Sequence, residues 1–292
     1  MAETVLLDQR DGVATLTLNR PQARNALNNA MCGDLLAALT VLAADDAVRL
    51  VFIRANGPVF CAGADLKERQ GMEEDAVRAR RLKAFAAYHA IESLPMPAIA
   101  VLEGPAIGSG CEIAAACDFI VATEKASFRT PEALWGTVGA TQRLPRILGK
   151  RLAKDMMYTG RTLSAAEAVG AGLVARLVGA EALEQTLTEI AATIAQAPPA
   201  ALRLPRPAST AAWNSTPKVR WRPNFSPSRR TSRETTGAPA SAASAASARP
   251  SHERRLAAAH ARPSVRRQRR RARTARSPGD RSQALHLCRI RD

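Results

Sequence analysis

Two glutamates and two small-residue turns carry the chemistry open to this sequence. The stretch Gly104-Pro105-Ala106-Ile107-Gly108-Ser109-Gly110-Cys111-Glu112 follows the apolar run Ala98 to Leu102. Phe60-Cys61-Ala62-Gly63-Ala64-Asp65-Leu66-Lys67-Glu68 follows the apolar run Leu50 to Ile53 in the same way. Small residues let such a turn approach a ligand closely, and the helix start behind it leaves N–H groups with no intrahelical acceptor. Two turns of this build can each supply one donor to a developing oxyanion, and losing one such donor costs about 2.7–4 kcal/mol of transition-state stabilisation. Glu112, in the helix opened by the second turn, and Glu132, after Pro131, then supply the proton transfers.

Other nucleophile and metal chemistries find little support. His89 is the only histidine among residues 1–200, and no partner motif for a Ser/His/Asp triad, a Cys/His dyad or a histidine-ligated zinc accompanies it. It reads as a structural residue. Cys61 and Cys111 sit in the two turns, where they read as small packing residues because no nearby histidine activates them. The carboxylates remain the principal acid–base candidates.

The elements that position these residues follow from periodicity. Val5 to Leu7 and Val13 to Leu18 flank Asp11-Gly12, a hairpin signal. Helical spacing covers Ala30 to Leu42, and Glu73 to Ser93 reads as an amphipathic helix forming a solvated outer layer. Leu50 to Ile53, Ala98 to Leu102 and Phe119 to Ala122 read as buried strands, with a helix from about Ser109 to Cys117 between the last two. Repeated strand–turn–helix units joined by short links predict an α/β architecture. Beyond Glu132, helices are predicted within Ala140 to Leu148, Leu152 to Tyr158 and Ala180 to Ala197, with a capping box at Ser164-Ala165-Ala166-Glu167. Pro198-Pro199 is expected to stop the last helix.

The formal charge of +16 suggests nucleic-acid binding until its distribution is examined. Residues 201–292 carry 22 Lys and Arg against 4 Asp and Glu, whereas residues 1–200 carry 20 against 22. The basicity belongs to a tail rich in Arg, Ala, Ser and Pro, including Arg266-Arg267-Gln268-Arg269-Arg270-Arg271, and disorder is expected there. Five cysteines without a C-x-x-C pair point to reduced thiols. Neither a signal-peptide pattern nor an apolar run of about 20 residues is visible, which predicts a cytoplasmic protein with no membrane partner.

Several ordered blocks resemble the crotonase family, the enoyl-CoA hydratase/isomerase superfamily, from about Val13 to about Val178. They are Leu18-Asn19-Arg20-Pro21, Asn25-Ala26-Leu27, Phe60 to Glu68, Gly108 to Asp118, Pro131-Glu132 and Thr141-Gln142-Arg143-Leu144. The resemblance implies a right-handed superhelix of ββα turns over residues 1–200, an acyl-CoA domain acting as an enoyl-CoA hydratase, with isomerisation or another reaction of the superfamily as the alternative. It implies that the N–H groups of Ala64 and Ser109 bind the thioester oxygen, that Glu112 activates water and that Glu132 exchanges the α proton. Ala23, Arg24 and Ala26 are implied to lie along CoA, where Arg24 is either a phosphate contact or an ordinary surface arginine. Ala62, Asp65, Leu66, Gly108 and Trp135 are the implied substrate contacts, with Asp65 a candidate helix cap and Trp135 either an acyl-pocket wall or a core residue. No metal and no cofactor beyond the CoA of the substrate are implied, and a homo-oligomer, trimer or dimer of trimers, is.

Three departures from the family pattern stand out. Ser109 replaces the usual glycine at the second oxyanion position, and the loop between Glu132 and Thr141 is short. From about Leu204 the tail stands where the family has helices that close the site and build the oligomer. A reading-frame slip near residue 204 would explain the tail's composition, and resequencing the gene there tests it. Two other roles compete with the enzyme: non-specific nucleic-acid binding through the arginine tail, and a catalytically inactive scaffold.

Overall fold

The first hairpin forms where the sequence changes direction at Asp11-Gly12, both with positive φ (51° and 78°). It joins β1 (Val5–Arg10) to β2 (Val13–Leu18) in antiparallel register, Val5 opposite Leu18 and Arg10 opposite Val13. The computed structural model describes residues 3–137 and 139–203, all within the first of two compact units, Met1–Phe225. The disorder, frame slip and arginine run expected of the tail lie outside the described residues.

After β2 the chain enters helix α1 (Asn29–Ala44), capped by the Asn28 side chain accepting from Met31 N–H, and buries Met31, Leu35, Leu39 and Leu42. Strand β3 (Leu50–Ala55) is followed by α2 (Leu66–Arg69) and the long α3 (Glu74–Glu92). Strand β4 (Ala98–Leu102) leads through β5 (Pro105–Ile107) into α4 (Ser109–Ala116), and β6 (Phe119–Thr123) leads to β7 (Ser127–Arg129). Then come α5 (Arg143–Ile147), α6 (Gly149–Thr159), β8 (Thr162–Ser164), α7 (Ala165–Gly170), β9 (Arg176–Val178), α8 (Leu183–Gln196) and α9 (Pro199–Arg203).

The strands form two sheets. The larger has the order β1-β2-β3-β4-β6-β9, parallel throughout except for the opening hairpin. Its inner strands are apolar along their whole length because both faces are covered: β4 is buried at all five positions. One face packs against α1, α3 and α4 in the main core, and α8 covers Leu50, Phe52, Ile99, Val101 and Val121 on the other. The smaller sheet, β5-β7-β8, stands at the ends of the larger strands. Successive β–β–α turns of this kind fit the superhelix that the resemblance implies.

One expectation needs correction. Helix α3 is more than a solvated layer, since it buries Ala84, Ala87, Tyr88 and Ile91 and turns one stripe toward a cleft. Its alternating charges hide the apolar stripe, and the buried Arg80 is tolerated because Glu68 Oε2 lies 2.7 Å from its Nε. At Pro198-Pro199, α8 ends as expected, and Pro199 opens α9, as a proline at the first helical position readily does. The capping box is present: Ser164 Oγ accepts from Glu167 N–H, and Glu167 accepts from Ser164 N–H. Among the described residues no helix is long and apolar enough to cross a membrane.

Candidate active site

The two small-residue turns are joined to each other by backbone pairing. Cys61 N–H donates to the Pro105 carbonyl and Ile107 N–H to the Cys61 carbonyl, a parallel bridge between Cys61 and Ala106. On its other side the first turn bridges Leu27: Leu27 N–H donates to Gly63 O, and Asp65 N–H donates to Leu27 O. Neither bond uses the N–H of Ala64. Ser109 is the first residue of α4, so its N–H lacks an intrahelical acceptor. A Cβ on Gly63, whose φ is 95°, would lie 3.1 Å from the Ile107 carbonyl oxygen and 3.9 Å from the Ser109 nitrogen. Glycine is needed there because the turns are this close, and the two candidate donors line one cleft.

Polar contacts brace the first turn. Asp65 caps α2, accepting from Lys67 and Glu68 N–H, and its other oxygen pairs with Arg20 at 3.1 Å. The fully buried Asn25, itself at positive φ, donates to the carbonyls of Asn56 and Val59 and accepts from Arg20 N–H. Ala62 N–H donates to the Arg24 carbonyl, which fixes the Ala23–Ala26 segment beside this turn. Arg24 is exposed and left-handed (φ 51°), and Ala23, Arg24, Ala26, Ala62 and Asp65 stand beside the cleft without lining it. Leu66, Gly108 and Trp135 do line it, Trp135 with about half of its surface exposed (49%).

The small sheet brings Glu132 to the second turn. β5 and β7 pair in parallel, Ile107 opposite Arg129, and Gly108 N–H extends the ladder to the Arg129 carbonyl. The 3₁₀ turn Glu132–Trp135 follows directly, so the Glu132 carboxylate falls against Gly108, where an added Cβ would be 2.8 Å from Oε1. Burial pushes the Glu132 carboxyl up from its ordinary value; its own backbone N–H opposes this, and the nearby charge of Glu112 adds to it. Glu132 Oε2 is buried without a hydrogen-bond partner among the described residues.

Glu112, 6% exposed on the first turn of α4, has a different setting. Its Oε2 accepts from Arg143 Nη1 at 2.9 Å, leaving Oε1 for a water. The same guanidinium donates through Nε and Nη2 to both oxygens of Glu92, each at 2.8 Å. Burial alone would lower the Arg143 guanidinium, but its bonds to Glu92 and Glu112 outweigh that and raise it. Arg143 also lies over the Tyr88 ring, 5.7 Å from its centroid. Burial drives the Tyr88 hydroxyl far above its ordinary range, with the Ser109 hydroxyl opposing. The side chain that distinguishes Ser109 from glycine therefore has a polar neighbour.

Sequence reasoning gave no role to Arg143, Glu92, Tyr88 or Arg81. Arg143 was visible as part of the block Thr141 to Leu144; the others sit in α3, whose contribution its charged surface obscured. Cys61 and Cys111 are fully buried, and burial pushes the Cys61 thiol up to about 12 and Cys111 further, which suits packing and not nucleophilic attack. His89 is exposed on α3, 3.9 Å from Glu92. Among the described residues no group of three His, Cys, Asp or Glu side chains is arranged to hold a metal.

Two carboxylates, Glu112 buried and ion-paired and Glu132 half-buried with one oxygen lacking a partner among the described residues, thus face one open cleft together with two N–H donors. The chain is also similar to known proteins along most of its length. The family model described as enoyl-CoA hydratase/isomerase matches residues 8–221, extending past residue 204. A probable enoyl-CoA hydratase of Mycobacterium leprae is 39% identical over 218 residues, 73% of this chain and 84% of its own. An enoyl-CoA isomerase/hydratase of Mycosarcoma maydis is also 39% identical, over 66% of this chain and 74% of its own. The crystal structure of an enoyl-CoA hydratase from Bacillus anthracis superposes with a TM-score of 0.71 at 37% identity, covering 74% of this chain and 86% of its own. By fold, by the matched length and by these relatives, the chain belongs to the enoyl-CoA hydratase/isomerase family, the crotonase superfamily of enzymes.

Proposed function

We propose that this protein is an enoyl-CoA hydratase, adding water across the α,β double bond of an acyl-CoA thioester. The observation that carries this reading is the pairing of two unlike carboxylates in one cleft: Glu112 held by Arg143, and Glu132 half-buried and raised, with its Oε2 lacking a partner among the described residues. Hydration needs one group to take a proton and another to give one, and unlike environments are how two glutamates divide that work.

In this reading the thioester oxygen sits between the N–H groups of Ala64 and Ser109. Glu112 Oε1 takes a proton from water as the water oxygen bonds to the β carbon. The π electrons move toward the carbonyl, leaving an enolate on the oxyanion donors, and the proton on Glu132 passes to the α carbon. Water exchange then returns a proton from Glu112 to Glu132. As proposed, the reaction draws on neither a metal nor a redox cofactor, CoA being part of the substrate.

The test is loss of enoyl-thioester absorbance with crotonyl-CoA, run on the full chain and on Glu112→Gln and Glu132→Gln. Activity abolished by either substitution supports hydration by the pair. Isomerisation has one point in its favour, the single unpaired glutamate: a shuttle moving one proton between carbons needs only Glu132. Activity that survives in Glu112→Gln while double-bond migration replaces water addition would favour that reading instead.

A further inference from the structure

The proposed reaction leaves two charged side chains of the cleft unused. Arg69, the last residue of α2, and Arg81, on α3, both line it and are both partly buried. The cleft's other arginine, Arg80, is occupied: it binds Glu68 and the Leu27 carbonyl. Neither Arg69 nor Arg81 has a carboxylate partner among the described residues, and Arg81 donates only to the Thr137 hydroxyl at 3.0 Å. Partly desolvated guanidinium groups among the apolar walls of Leu66, Val77, Phe85 and Trp135 are costly unless something anionic meets them.

Their placement says what that anion is attached to. Helix α3 lays Val77, Arg81, Ala84 and Tyr88 along the cleft. Tyr88 stands beside Ser109, one of the two proposed oxyanion donors. Arg81 precedes Tyr88 by seven residues, about 10 Å along the helix axis. Its partner Thr137 follows the Glu132 turn, to which it is tied by a bond from its N–H to the Glu132 carbonyl. With carbon–carbon bonds of about 1.5 Å, a chain of a few carbons beyond the thioester, met by an arginine stem, spans that distance. A guanidinium fork binds carboxylate better than any other side chain does.

We propose that Arg69 and Arg81 bind a carboxylate carried by the acyl group, so that the substrate class is a CoA thioester whose carbon chain ends in a carboxylate beyond the double bond. This rests on the acyl-CoA reading above. The same arginines facing a CoA phosphate would share the chemistry but not the selectivity, because every CoA ester carries those phosphates.

The experiment is equilibrium binding of glutaryl-CoA, butyryl-CoA and free CoA to the full chain and to Arg69→Met and Arg81→Met. Glutaryl-CoA is expected to bind about tenfold or more tightly than butyryl-CoA, a preference that shrinks with added salt and falls toward unity in each variant. Thr137→Val removes Arg81's hydrogen-bond partner and keeps its charge; the preference is expected to persist there. Equal affinities in the parent would overturn the proposal, and so would variants that weaken all three ligands in proportion, or a preference lost in Thr137→Val. Both thioesters are saturated, so the ratio is readable without turnover. A chain that prefers glutaryl-CoA yet fails to hydrate any enoyl-CoA would cost the hydratase reading alone; a chain that hydrates crotonyl-CoA but shows no preference would cost only the carboxylate.

Discussion

Arg143 Nη1 lies 2.9 Å from Glu112 Oε2 while the remaining edge of the guanidinium grips Glu92, so one planar side chain fixes a carboxylate of the cleft to the end of α3. A lysine is a point charge and cannot hold both partners with that geometry. Arg143 positions Glu112 and need not touch substrate. Arg143→Met is therefore expected to lower kcat for crotonyl-CoA by about tenfold to a hundredfold with a smaller change in KM, since a misplacement of about 1 Å costs that much. Arg143→Lys should recover part of it. Removing one member of a mostly buried pair also destabilises, by about 1–3 kcal/mol after allowance for its partial exposure. A KM rise at constant kcat would argue against the positioning role.

Glu132 gives a pH dependence with a definite sign. Its carboxyl is raised in the folded protein by burial and by Glu112, so it holds its proton to higher pH than an unfolded glutamate does. Activity that needs this proton falls as pH rises through the raised value. Stability follows the same direction: between the ordinary carboxylate value and the raised one the native state binds the extra proton, so stability declines as pH rises. Glu132→Gln should abolish hydration yet melt above the parent at neutral pH, with the gap closing in acid. For a domain of this size each kcal/mol is worth about 2–4 °C. Thermal melts at pH 4 and pH 7.5 on both proteins check this.

Gly108 is squeezed between conformation and contact. Its φ of 51° and ψ of −107° suit glycine alone, and a Cβ would sit 2.8 Å from Glu132 Oε1. Gly108→Ala is expected to cost about 1–3 kcal/mol of stability and to displace Glu132. Chemical denaturation and the crotonyl-CoA assay read the two effects separately; a folded, fully active variant would show that Glu132 has more room than the structure gives it.

What the sequence made legible was local. The strand runs, the two turns and the capping box are written in residues close together in the chain; β5 and β7 were not legible, since Pro105–Ile107 reads as part of a turn and three residues at Ser127–Arg129 are too few to show a period. Glu112 and Glu132 were visible because each follows a turn or proline with a recognisable build. The Arg143 fork was not, since its partners are 31 and 51 residues away and only packing of α3 against α4 and α5 brings them together. The same holds for α3: its charged residues suggest a solvated helix, and which stripe turns inward is decided by the sheet it covers.

Ser109 allows the oxyanion donor to be removed while the fold is spared. It occupies the first position of α4, where proline is well accepted because the N–H makes no helical bond. Gly108, lacking a Cβ, relieves much of the clash that a following proline usually imposes. Ser109→Pro should therefore fold, keep Glu112 in place and lose one N–H from the cleft. The expected cost is about a hundredfold to a thousandfold in kcat, the price of one oxyanion donor. Ser109→Gly is the control, because it deletes the hydroxyl beside Tyr88 and keeps the N–H. If both substitutions lower kcat alike, the side chain and its Tyr88 neighbour matter and the backbone donor does not. If only the proline does so, with an unchanged melting temperature, the second half of the oxyanion hole is assigned to the Ser109 backbone.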